Sequence, residues 1–174
     1  YPCSSIQINR TLIHNKKYGY FQAEKVIFED IVSECHMKTS GGDVIRHPFV
    51  YLVEAADDIC YRIIDMEDAH RIGILSTEVL KDAFLALLVD LDDNIVRTKD
   101  VLFKIGDANE AISFLRAKCI NALVNKSSEI FLKNAENILA GQYNHTLIDE
   151  VEKNSPSLKH IADISVEKIY NHHS

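Results

Sequence analysis

Residues 54 to 70 read EAADDICYRIIDMEDAH and carry six carboxylates threaded among Ala, Ile, Cys and Met. On a helix turning roughly 100° per residue, with Asp57 as the origin, Tyr61 falls near 40° and Asp65 near 80°. Glu54 and Asp68 share that arc. Leu52, Ala55, Ala56, Ile59, Cys60, Ile63 and Met66 take most of the remaining girth. The pattern predicts a helix that is apolar around much of its circumference, with one acidic stripe that includes a tyrosine. A buried carboxylate costs several kcal/mol unless something compensates it. Two compensations fit. The stripe faces water or pairs with Arg and Lys of neighbouring helices, as charged helix faces commonly do. Alternatively it meets a divalent cation and a polar ligand, because hard cations take oxygen donors. Arg46, Arg62 and Arg71 flank the stretch and read as salt-bridge partners.

The elements that must carry this stripe are helical. The 174 residues include only six Gly and three Pro, and 26% are charged. That composition favours an all-α irregular multi-helix bundle, read as a single helical unit over 1–174. Residues 1–20 lack a helical period and read as an irregular arm or short hairpin. From Phe21 the spacing predicts an amphipathic helix with Phe21, Val26, Ile27, Ile31 and Val32 on one broad face. Pro48 suits the first turn of the acidic helix, and Gly73 its stop, near His70. Ser76 or Thr77 caps a third helix to about Leu88. One long helix, or two in tandem, runs through the segment ending at Gly141. A short helix follows, and then a last one opened by Ser155 as N-cap and Pro156 at N1, reaching Tyr170.

The net charge of −7 is spread along the chain, which argues against a general preference for nucleic acid. No apolar run approaches the roughly 20 residues of a membrane span, and no signal peptide opens the chain. Cys3, Cys35, Cys60 and Cys119 form no CxxC pair and read as reduced, mostly buried thiols in a cytoplasmic protein. Cys60 is assigned to packing. His47, beside Pro48, reads as a capping group.

The string RHPFVYLVEAADDICYRIIDMEDAHRIGIL resembles the signature of the deoxyguanosine triphosphate triphosphohydrolase (dGTPase) branch of the HD-domain phosphohydrolases. KKYGYFQAE is similar to the segment preceding that helix in the family, and the opening YPC to the start of its substrate-pocket stretch. The resemblance implies an all-helical, HD-type fold. It also implies metal-dependent hydrolysis of dGTP, or of dNTPs generally, to a deoxynucleoside and tripolyphosphate. By the same resemblance Asp57 is a metal ligand, for Mg2+, Mn2+ or another transition metal. Tyr61 packs on the deoxyribose and Asp65 binds its 3′-hydroxyl. Lys17 contacts phosphate, Tyr1 lines the pocket, and the 1–20 arm contributes to it. These roles are physically reasonable: an ionised carboxylate accepts a charge-assisted hydrogen bond, a tyrosine ring excludes a 2′-hydroxyl by bulk, and a lysine is a point charge for phosphate.

The family's further metal ligands, a His and a His-Asp dyad, have no counterpart here. None of the eight histidines precedes an Asp. The chain is therefore expected to correspond to the C-terminal portion of such an enzyme, with no catalytic residue of its own. It would complete its site with an N-terminal portion and assemble as a homo-oligomer, hexamer or tetramer. Alternatives are a related phosphohydrolase of different nucleotide preference, a non-catalytic module binding nucleotides or single-stranded DNA, and a helical interaction domain with a salt-bridged acidic face.

Overall fold

A computed structural model describes residues 2–8, 17–39, 41–91 and 94–171. Tyr1 lies outside them, as do the histidines at 172 and 173. The described residues form eight α-helices: α1 (Lys25–Glu34), α2 (Pro48–Arg71), α3 (Thr77–Asp90), α4 (Ile95–Lys104), α5 (Ala108–Lys133), α6 (Ala135–Leu139), α7 (Leu147–Lys153) and α8 (Pro156–Ile164). A 3₁₀ turn (Gln22–Glu24) leads into α1, and a π-helical turn (Ser165–Tyr170) continues α8. Extended pairing among the described residues is limited to Ser4 with Tyr20 and Lys38 with Val44. The all-α class and the irregular bundle expected from composition are what the chain adopts.

Two compact units divide the chain: Tyr1–Glu54 with Ile130–Thr146, and Ala55–Glu129 with Leu147–Ser174. In the first, Tyr51 is 1% exposed and donates its hydroxyl to the Tyr143 carbonyl at 2.8 Å. Arg46 is buried with it. Its guanidinium lies 4.5 Å from the Tyr51 ring centroid and bonds Glu54 at 2.5 Å. This arrangement joins cation–π attraction to a charge-assisted hydrogen bond and offsets the desolvation of the arginine. His47 Nδ1 accepts the Phe49 N–H at 3.2 Å, which is the capping role expected of it. The apolar face of the first helix is largely exposed. Val32 is buried, but Phe21, Val26, Ile27 and Ile31 remain 49–70% exposed. Period alone places apolar residues on one side of a helix; it does not supply the surface that covers them.

The core of the second unit takes Ala55, Ile59, Ile63, Met66 and Ala69 from one face of α2, Leu80, Phe84, Leu87 and Leu88 from α3, Leu115 and Leu123 from α5, and Leu158 and Ile161 from α8, all of them buried. Fully buried side chains of this size contribute ~1.5–3 kcal/mol each. Ser76 caps α3, accepting the Val79 N–H at 3.3 Å, as expected. The start of α8 differs from expectation. Pro156 stands at N1, but the Ser155 hydroxyl makes no cap bond. Asp90 at the end of α3 accepts the Ser157 N–H at 2.8 Å and the Ser155 hydroxyl at 3.3 Å. A carboxylate at a helix N-terminus also meets the positive end of the dipole, so the borrowed cap is the stronger one. Helix α4 was not anticipated, although Asn94 caps it through the Arg97 N–H at 3.2 Å.

Gly73 (φ 80°) and Gly141 (φ 71°) both end helical segments in the left-handed region. A Cβ at Gly73 would meet nothing within 4 Å, whereas one at Gly141 would sit 2.3 Å from Ile45 Cγ2. Gly73→Ala therefore costs only the left-handed strain, about 1 kcal/mol. Gly141→Ala adds overpacking and costs ~3 kcal/mol. Urea unfolding of the two variants should show this ranking, and equal losses would remove the close approach as the reason for Gly141.

Candidate functional site on the outer face of helix α2

The carboxylates of α2 meet different fates. Glu54, in the first unit, is held by Arg46. In the second unit Asp57 and Asp68 are exposed, Tyr61 is 57% exposed and Asp65 is half-buried. The stripe therefore faces outward, and the apolar arc is narrower than the sequence suggested. Ala56 and Cys60 are exposed, and Leu52 is 37% exposed. Cys60 is thus not a packing residue. Among the four thiols Cys3 and Cys119 are buried while Cys35 and Cys60 are not. The flanking arginines are salt-bridged as expected: Arg46 to Glu54, Arg62 to Glu152 and Arg71 to Glu67.

The carboxylate that is buried is Glu67, at 2% exposure. Ser113 donates to it at 2.9 Å and Arg116 at 2.7 Å, both from α5, and Arg71 lies at 3.1 Å. Burial alone would push its carboxyl up; the hydrogen bonds from Ser113 and Arg116 and the charges of Arg116 and Arg71 outweigh that and hold it below its usual 4.5.

Tyr170, from the π-helical turn after α8, completes the outer face. Its ring stacks on Tyr61, with centroids 5.5 Å apart and planes 7° from parallel, and its hydroxyl donates to Asp65 Oδ2. Burial, and then the bond to Asp65, raise the Tyr170 phenol above its usual value, so it remains protonated and a donor. Sequence reasoning did not find Tyr170, which lies 105 residues from Asp65 with no local motif. Lys17 is exposed and belongs to the first unit; its carbonyl accepts the Cys3 thiol at 3.2 Å.

The face thus presents an exposed carboxylate (Asp57), an aromatic surface (Tyr61) and, two turns from Asp57, a carboxylate that accepts from a hydroxyl (Asp65). Among the described residues no group of three or more His, Cys, Asp or Glu is placed to hold a metal. Asp57 is a suitable hard donor, but these residues alone do not compose a metal centre. No helix among them is long and apolar enough to cross a membrane.

No family model matches the chain. A deoxyguanosinetriphosphate triphosphohydrolase-like protein of Synechocystis sp. is 35% identical over 180 residues, covering 99% of this chain and 39% of the relative. The chain is related to a C-terminal portion of the dGTPase family. A similarly described dGTPase-like protein of Listeria monocytogenes is 31% identical over 86% of the chain and 32% of its own length. The deoxyguanosinetriphosphate triphosphohydrolase of Yersinia enterocolitica is 28% identical over 90% of the chain and 32% of its own length. The chain thus spans about two-fifths or less of the dGTPase relatives it matches.

Glu67→Gln should destabilise the protein near neutral pH by ~2 kcal/mol, through loss of charge beside two arginines. Because the folded carboxyl titrates below 4.5, its contribution is present above that value and is lost as pH falls through the folded value. The gap between the variant and the natural protein should therefore shrink on acidification. A gap that is constant or widens toward low pH, measured by urea unfolding, would contradict this.

Proposed function

We propose that this chain is the sugar-facing portion of a metal-dependent triphosphohydrolase that acts on dGTP or related dNTPs, releasing a deoxynucleoside and tripolyphosphate. The observation that carries this reading is the outward row Asp57–Tyr61–Asp65 in a chain related to dGTPase-like proteins along nearly its whole length. Asp57 offers one oxygen donor to a divalent metal, whose role when bound is to polarise a phosphate and activate water. The remaining ligands, the His and His-Asp set, come from the rest of the protein.

The chain's own residues bind and orient the substrate. Asp65 accepts the 3′-hydroxyl; its present bond from a phenol shows that the carboxylate takes a hydroxyl donor in this position. The Tyr61 ring packs against the deoxyribose and leaves no room for a 2′-hydroxyl, selecting deoxynucleotides by exclusion. By the family resemblance Lys17 is a candidate point charge for phosphate. The exposed apolar residues of the first unit, such as Phe21, Val26 and Ile27, offer a surface for the N-terminal portion or another subunit of a homo-oligomer.

In the full-length protein Asp65→Asn should weaken dGTP binding ~10-fold or more and leave a 3′-deoxy analogue nearly unaffected, since one charge-assisted bond is lost. Equal losses for both nucleotides would argue against the 3′-hydroxyl contact. Asp57→Ala should abolish stoichiometric metal binding, and unchanged metal content by elemental analysis would refute that role. If the full-length protein binds nucleotides or single-stranded DNA yet releases no tripolyphosphate, the chain is a binding module instead.

A further inference from the structure

Tyr170 makes two contacts at once. Its ring lies on Tyr61 and its hydroxyl donates to Asp65. These are the two contacts that a deoxyribose would make: a ring packed on the tyrosine face and a hydroxyl donated to the carboxylate. We propose that Tyr170 is an internal stand-in for the sugar, occupying the sugar subsite until a deoxynucleotide displaces it. This inference rests on the assignment of Tyr61 and Asp65 to the sugar.

The segment that carries Tyr170 is suited to release. It is a π-helical turn, Ser165–Tyr170, whose end is closed by the Asn171 N–H on the Val166 carbonyl at 3.1 Å. Such turns are rare, and where they occur they are frequently found at functional sites. At its start the Ser165 hydroxyl is buried, with no hydrogen-bond partner among the described residues. An orphaned buried hydroxyl costs free energy. At its end Tyr170 is 46% exposed, so the ring reaches solvent without opening the core.

A competing side chain lowers apparent affinity by the fraction of molecules in which it occupies the site. In the full-length protein Tyr170→Phe, which keeps the ring but loses the hydroxyl, and Tyr170→Ala should bind a non-hydrolysable dGTP analogue about 3- to 10-fold more tightly. Asp65→Asn added to Tyr170→Ala, where no phenol competes, should bind it more weakly than Tyr170→Ala alone. The analogue should also speed amide hydrogen exchange across residues 165–171. If Tyr170 instead braces the pocket, its variants bind more weakly and the analogue slows that exchange; either result overturns the proposal while leaving the sugar assignment intact. Unchanged affinity in the Tyr170 variants overturns it equally. If adding Asp65→Asn to Tyr170→Ala leaves affinity unchanged, the sugar assignment fails and the proposal falls with it.

Discussion

Glu67 is almost fully removed from water, and three side chains hold it there: Ser113 and Arg116 from α5, and Arg71 from its own helix. A bond between fixed positions on two helices sets the rotation of each about its axis. Taking Glu67 as the origin, Ile63, Met66, Ile59 and Ala55 fall within roughly 120° on one side, and Asp57, Tyr61 and Asp65 between about 80° and 160° on the other. Once Glu67 points at α5 and the aliphatic arc at the core, the row Asp57–Tyr61–Asp65 can only face outward. A rotation that buried the row would leave Arg116 without its carboxylate and bring three polar groups into an apolar interior, each at a cost of several kcal/mol. The outward face is thus set by the ion pair behind it.

The parts of this arrangement that were legible in the sequence depend on local chemistry. Pro48 and Gly73 bracket α2, Ser76 opens α3 and Pro156 opens α8 because the reasons are steric or lie within one turn. The arginines beside α2 were recognisable as counter-charges, and all three act so. Other features depend on partners far along the chain. Spacing could not single out Glu67 from five other carboxylates, because Ser113 and Arg116 stand 46 and 49 residues away. It could not show that Asp90 rather than Ser155 caps α8, from 67 residues before Ser157. Nor could it find Tyr170 over Tyr61. Helix α4 is a different case: Asn94 before an amphipathic run was a readable start signal.

The carboxylates of α2 also differ in what compensates them, and that difference separates scaffold from site. Glu67 is served by groups of the protein that stay in place, so it is available for nothing else. Asp57 is exposed, so its charge carries little desolvation cost. Asp65 is intermediate. It is half-buried, so leaving it bare would carry part of the desolvation cost, and a single phenol on a short π-helical turn supplies the donor. On the proposed reading, a ligand hydroxyl would take the place of that phenol, so Asp65 would keep a donor in both states.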